Sequence, residues 1–170
     1  VDVFAEFYAE LYSSKATPAE RDQLFGNDGE KVPHFTTQEI QSQLKTMASG
    51  KSADQFGMVA EMLKHSSEGF LDLVTSLFND VLDSLVVPSS WKKSRVSVMF
   101  KNGDCKLPGN YRPLTLLPIL YKAFSKVLFA RVRSTLDKAQ THDQAGFRSG
   151  YSCEDHLFTI TLLTELRTEY

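Results

Sequence analysis

The stretch WKKSRVSVMFKNGDCKLPGNYRPLTLLPILYKAFSKVLFARVR, from Trp91 to Arg133, decides how the chain is organised. Within it Val96, Val98 and Phe100 alternate with Arg95, Ser97, Met99 and Lys101, which predicts a half-buried strand. Residues 102–110 carry two glycines and Pro108 and read as a flexible loop. Tyr111 to Leu116 returns as the second strand of a hairpin, and Pro113 limits it to an edge position or a short pairing. Pro118 suits the first turn of a long helix. Leu120, Phe124, Val127, Leu128, Val132 and Leu136 mark the buried side of that helix, while Lys122, Lys126, Arg133 and Lys138 lie off the stripe.

Charge is concentrated in the same stretch. Between Trp91 and Lys138 there are eleven Lys and Arg against two acidic residues, Asp104 and Asp137, a local balance of +9. The rest of the chain carries −11, which restores the overall −2. A near-neutral molecule is therefore polarised, and its basic half points to an anionic partner.

Upstream, Phe4, Phe7, Tyr8, Leu11 and Tyr12 form an apolar helical face, and Ser14 to Val32 reads as a polar surface connector. Thr36 and Glu39 fit a capping box, with Ile40, Leu44 and Met47 on the buried face of a helix expected to stop near Gly50. After the polar turn GKSADQFG, Gly50 to Gly57, a helix resumes through Ala60, Met62 and Leu63. Phe70, Leu71, Val74, Leu77, Phe78, Val81, Leu82 and Leu85 keep helical rhythm until Pro88 closes it. Downstream of the basic stretch, THDQAGFRSGYSCED, Thr141 to Asp155, is small and polar. A last helix follows, carrying Leu157, Ile160, Leu163 and Leu166. The fold class is thus α+β and mostly helical: a helical N-terminal layer with an acidic surface, then a short β-hairpin and long helices.

At 170 residues, 42% hydrophobic and 24% charged, the composition is that of a globular domain. No apolar run approaches the roughly 20 residues of a membrane helix, and no signal-peptide pattern opens the chain. Cys105 and Cys153 form neither a disulfide framework nor a zinc pattern, so a reducing intracellular setting, nucleus or cytoplasm, is expected. The chain opens inside an apolar helix and stops at Tyr170, and both ends are expected to be cuts through a longer protein.

Lys101 and Arg112 are the first candidate site residues. A hairpin brings both to one surface, where a planar guanidinium and a mobile ammonium suit a triphosphate or a nucleic acid backbone. A solvated basic face is the competing reading of the same charge. Gln144, Ala145, Gly146, Phe147 and Arg148 combine a permissive glycine, an aromatic platform and a cation, the parts needed to approach a sugar-phosphate chain and stack on a base. An ordinary turn around one buried Phe is the alternative. Several chemistries are excluded. No G-K-[ST] follows Gly103 to Gly109, and His34, His65, His142 and His156 lack metal-ligand spacing. No nucleophile-elbow pattern occurs, and the basic half lacks the clustered carboxylates of a two-metal site.

NYRPLTLLPILYKAFSKVLFARV, Asn110 to Val132, resembles the second motif block of reverse transcriptases from non-LTR (LINE-type) retrotransposons. WKKSRVSVMFKNGD looks like the block before it, and DQAGFRSGYSCEDHL like the block after the long helix. FAEFYAELYSS and KSADQFGMVAEMLK resemble the family's N-terminal extension, so the resemblance runs through essentially the whole chain in the family's order. It implies a helical N-terminal extension over residues 1–90 and a partial reverse transcriptase domain over 91–170, part of the fingers of a right-hand polymerase. Lys101 and Arg112 match the basic residues that meet the incoming nucleotide's triphosphate. Gln144, Gly146, Phe147 and Arg148 match the stretch lining nucleotide and template. The implied partners are an RNA template, a DNA primer, deoxynucleoside triphosphates and the remaining palm and thumb of the parent polymerase. The implied cofactor is Mg2+, two ions held by palm aspartates.

Two departures qualify that resemblance. The family's turn is close to GKAPGPDGI, whereas GKSADQFGM here has Gln55 and Phe56 in place of Pro and Asp, which predicts a softer turn. The first metal-binding Asp motif is expected beyond Tyr170, and no Asp-Asp pair occurs in the sequence. The expectation is a polymerase fragment that is inactive alone. A non-catalytic nucleic acid-binding module and a purely structural helical remnant are the alternatives.

Overall fold

The computed structural model describes residues 2–13, 32–141, 144–146, 148 and 150–169. The helices are α1 (Asp2–Leu11), α2 (Thr37–Lys45), α3 (Ala60–Lys64), α4 (Glu68–Ser84), α5 (Ile119–Ala139) and α6 (Cys153–Glu169). Strands β1 (Arg95–Phe100) and β2 (Tyr111–Leu116) form a two-stranded antiparallel sheet between α4 and α5. The expected mostly helical α+β architecture with one small hairpin is what the chain adopts. The connector expected from Ser14 to Val32 lies outside the described residues except for Val32. Two compact units divide the chain, residues 1–125 and 126–170.

The first unit is built on local signals that the sequence carries openly. Thr36 Oγ1 accepts the Glu39 N–H at 3.2 Å, and Glu39 Oε2 accepts the Thr36 N–H at 3.5 Å, completing the capping box of α2. Two orphan N–H groups at the helix start are thereby satisfied. Ile40 and Leu44 are buried behind it, but α2 ends at Lys45 rather than near Gly50, and Met47 is only half-buried beyond its end. Ser67 caps α4 by accepting the Phe70 N–H. Leu71, Val74, Phe78 and Val81 form its buried stripe.

That stripe stops earlier than its rhythm implies. Leu85 takes a left-handed conformation (φ 55°) as the C-cap and is 80% exposed, so α4 closes before Pro88. Asn79 fastens the start of α2 to α4: its Oδ1 accepts the Phe35 N–H at 2.7 Å and its Nδ2 donates to the Phe35 carbonyl at 3.1 Å. His34 Nε2 lies 3.0 Å from the Asp83 carboxylate nearby.

The core of this unit is aromatic. Phe78 lies edge-on to Trp91 and Phe124, with centroids 5.9 and 5.3 Å away, and Phe35 packs edge-on to Phe124. Such perpendicular pairs add attraction beyond area burial because ring edges and faces carry opposite partial charge. Trp91 comes from a 3-10 turn, Ser89–Lys92, just before β1, and Phe124 from the first turns of α5. The core therefore grips the chain on both sides of the hairpin while leaving the hairpin outside. Ile119, Ala123 and Phe124 of this unit are buried; further along α5, in the second unit, Val127 is buried, but Val132 and Leu136, expected on the same buried stripe, are 41% and 46% exposed.

The second unit has little interior among its described residues. Leu157, Ile160, Leu163 and Leu166 are helical as expected but exposed, together with Phe158 and Leu162. Among the described residues no helix is long and apolar enough to cross a membrane.

Candidate nucleic-acid interface

The hairpin presents two unlike faces. Its register pairs Arg95 with Leu116, Ser97 with Leu114, Val98 with Pro113, Met99 with Arg112 and Phe100 with Tyr111. One residue beyond β1, the Lys101 N–H still donates to the Asn110 carbonyl at 2.9 Å. Because side chains alternate across a strand, Arg95, Ser97, Met99 and Lys101 share a face with Asn110, Arg112, Leu114 and Leu116. Lys101 and Arg112 are thus diagonal neighbours on that face, about 7–8 Å apart at such a register. Both side chains are exposed, and neither has an ion-pair or hydrogen-bond partner among the described residues.

The opposite face carries Val96, Val98, Phe100, Tyr111 and Pro113. The Phe100 and Tyr111 rings lie 5.3 Å apart. Helix α1 covers only the Tyr111 end: Phe4 stacks edge-on at 4.9 Å, and Tyr8 Oη donates to the Tyr111 carbonyl at 3.0 Å. Val96 and Val98 stay 53% and 41% exposed, so the expected half-buried strand is exposed along its length. Alternation reported the two faces correctly. It could not report that a lone hairpin has no second layer to bury one of them.

The loop between Lys101 and Arg112 is closed by its own bonds rather than loose. Asp104 Oδ1 accepts the Lys106 N–H, and the Asp104 carbonyl accepts from Asn110 Nδ2, both at 2.9 Å. Tyr111 Oη donates to the Cys105 carbonyl at 2.9 Å, and Pro108–Asn110 forms a 3-10 turn. Gly103 sits at φ +88°, where a side chain is strained, and a Cβ there would fall 2.8 Å from Asn110 Nδ2. This closed loop leaves Lys106 exposed between the two cations in sequence.

The second candidate segment lies in the other unit. Gln144 Nε2 donates to the Gly146 carbonyl at 3.1 Å, Ala145 is buried, and Gly146 is exposed. Arg148 Nη1 donates to the Thr141 carbonyl at 2.9 Å, and its guanidinium lies 4.1 Å from the centroid of Tyr151. The aromatic partner of this cation is thus Tyr151, a cation–π arrangement that leaves its remaining N–H groups for other acceptors. The expected platform, Phe147, lies outside the described residues.

A residue that sequence reasoning passed over is Asp54, in the GKSADQFG turn. Its Oδ1 accepts the Phe56 and Met58 N–H groups at 2.8 and 2.9 Å, and its Oδ2 accepts the Ile119 N–H at 2.8 Å. Pro118, immediately before α5, has no capping side chain, so a carboxylate 65 residues away caps that helix and sits favourably at its positive end. The turn expected to be soft is held by this aspartate. The signal was present as a capping residue inside a polar turn and an uncapped helix after Pro118, but only the fold joins them.

No protein-family model matches the chain. Among curated proteins it is 29% identical over 90 residues (51% of this chain, 10% of the relative) to a probable RNA-directed DNA polymerase from transposon X-element of Drosophila melanogaster. It is 30% identical over 93 residues (53% and 10%) to the RNA-directed DNA polymerase from mobile element jockey of the same organism. An uncharacterized 149 kDa protein of transposon TX1 from Xenopus laevis is 29% identical over 130 residues, covering 74% of this chain and 10% of that protein. The chain spans about a tenth of the length of these relatives. Over much of its length the chain is similar in sequence to the RNA-directed DNA polymerases of non-LTR retrotransposons.

Proposed function

We propose that the chain is a fragment of a retrotransposon RNA-directed DNA polymerase. In this reading residues 1–90 are a helical N-terminal extension and residues 91–170 are a partial polymerase domain belonging to the fingers. The observation that carries it is the placement of Lys101 and Arg112 on one open face of a hairpin with a closed loop, within the stretch that resembles the family's motif blocks. Lys101 and Arg112 hold the phosphates of an incoming deoxynucleoside triphosphate. Gln144, Gly146, Phe147 and Arg148 line the nucleotide and the RNA template. The palm and thumb of the parent protein, inside the cell, supply the rest of the site.

The resemblance also implies Mg2+ held by aspartates. Among the described residues no three His, Cys, Asp or Glu side chains lie together as a metal site, so these residues do not fit that group. In this reading the 170 residues by themselves bind and do not polymerise, and the aspartates that hold the metal come from other segments of the parent protein. The exposed Lys101 and Arg112 pair also favours a second reading, a non-catalytic nucleic acid-binding module derived from such an element.

RNA binding tests the site directly. Lys101→Ala and Arg112→Ala should each weaken binding of a single-stranded RNA several-fold, and each should lower the slope of log affinity against log salt by about 1. Salt-independent binding, or affinities untouched by both substitutions, would overturn the phosphate-binding role. Primer extension on an RNA template with Mg2+ tests the limit of the fragment: robust synthesis by these 170 residues would sink the claim that catalysis needs other segments.

A further inference from the structure

We infer that the turn from Gly50 to Met58 is a clasp that sets the orientation of the basic hairpin by holding both of its roots. Asp54 Oδ2 accepts the Ile119 N–H at 2.8 Å, three residues after β2 ends. Gln55 Nε2 donates to the Lys93 carbonyl at 2.7 Å, two residues before β1 begins. Adjacent side chains of one turn thus bond the two strands' points of attachment, and both bonds belong to the first compact unit.

The turn is itself rigid enough to act as a clasp. The Asp54 N–H donates to the Met58 carbonyl at 2.9 Å, and the Gly57 N–H to the Asp54 carbonyl at 3.1 Å. Gly57 takes φ +77°, a conformation that disfavours a side chain. Behind the turn, the Gly50 N–H donates to Glu61 Oε1, and Lys64 Nζ donates to Ser49 Oγ at 2.7 Å. The turn is therefore tied to α3 on one side and to the hairpin roots on the other.

Hydrogen bonds make this coupling. Asp54, Phe56 and Met58 line a cleft of about 190 Å³ together with Trp91, Pro118 and Leu120, and Phe56 is 57% exposed. The hairpin's other restraints are the core at Trp91 before it and Phe124 after it and α1 at Tyr111, while β1 is exposed and β2 is half-buried only at Tyr111, Pro113 and Leu116. Asp54 and Gln55 act as positioning residues: by holding the roots they set where the hairpin that carries Lys101 and Arg112 sits. This consequence rests on the phosphate-binding reading of those two cations, whereas the clasp itself does not.

The test compares Asp54→Asn and Gln55→Ala in the 170-residue chain by residue-level hydrogen exchange and by titration with tripolyphosphate. Asparagine keeps an oxygen for Phe56 and Met58 but loses the second acceptor facing Ile119. Loss of one such bond should speed exchange of the paired hairpin amides and of Ile119 by about tenfold. The amides of Ile40 and Phe78 should keep their protection, and tripolyphosphate affinity should fall several-fold. Unchanged hairpin exchange, or equal acceleration in hairpin and core, overturns the clasp. Gln55 is exposed, so its variant keeps the test available if Asp54→Asn fails to fold. A Lys101→Ala arm separates the two ideas: tripolyphosphate binding unaffected by it removes the phosphate role while the exchange result still decides the clasp.

Discussion

At Glu61 the fold holds a carboxyl in its charged form. The Gly50 N–H, first, and its own backbone N–H keep its pKa below the ordinary glutamate value. A folded-state pKa lowered in this way contributes stability that is fully present above the unfolded value and lost as pH falls through the folded one. Glu61→Gln should therefore lower stability at neutral pH, and the gap between the two proteins should close on acidification through the glutamate range. Urea unfolding midpoints measured along that pH series would show it, and a gap that widens in acid would refute it. Lys101 and Arg112 were legible as a pair because charge and alternation are local properties. Asp54 was not, because the N–H it satisfies lies 65 residues further along the chain.

Among the elements, α2 shows local chemistry read without loss. Thr36→Ala removes the side-chain half of the capping box and should cost about 1 kcal/mol, seen as a lower thermal midpoint with an unchanged helical spectrum at low temperature. A midpoint equal to the parent's would mean that the Asn79 bonds to Phe35 hold the start of α2 without its cap. Only the start of that helix is legible in this way: Gly50 suggests a stop, but α2 closes at Lys45. Hairpin pairing was equally readable, whereas burial was not. Val96, Val98 and Phe100 mark an apolar face, and whether anything lies on it depends on elements remote in sequence.

For the whole molecule, the described interior is concentrated around Phe78, which is fully buried against Trp91 and Phe124. Phe78→Ala should cost about 3–5 kcal/mol through lost transfer energy and the cavity left behind. That is a large share of the roughly 5–15 kcal/mol that stabilises an ordinary domain. Chemical denaturation would measure it, and a loss under 1 kcal/mol, well below the range for such truncations, would move the centre of the core elsewhere. Helix α6 poses the opposite case, with Leu157, Phe158, Leu162 and Leu163 exposed around its circumference. Polar residues such as Asp155, Thr159, Thr161 and Glu165 are interleaved with them, so the helix gathers no single apolar face. The sequence by itself determined the helical layer, the caps, the two-faced hairpin and the concentration of positive charge, since each arises from residues within a few positions of one another. Only the tertiary structure decided which apolar faces are covered, where α2 and α4 stop, and that Asp54 and Gln55 hold the roots of the hairpin. Burial and long-range hydrogen bonds depend on which distant segments meet, and a linear pattern carries no record of that meeting.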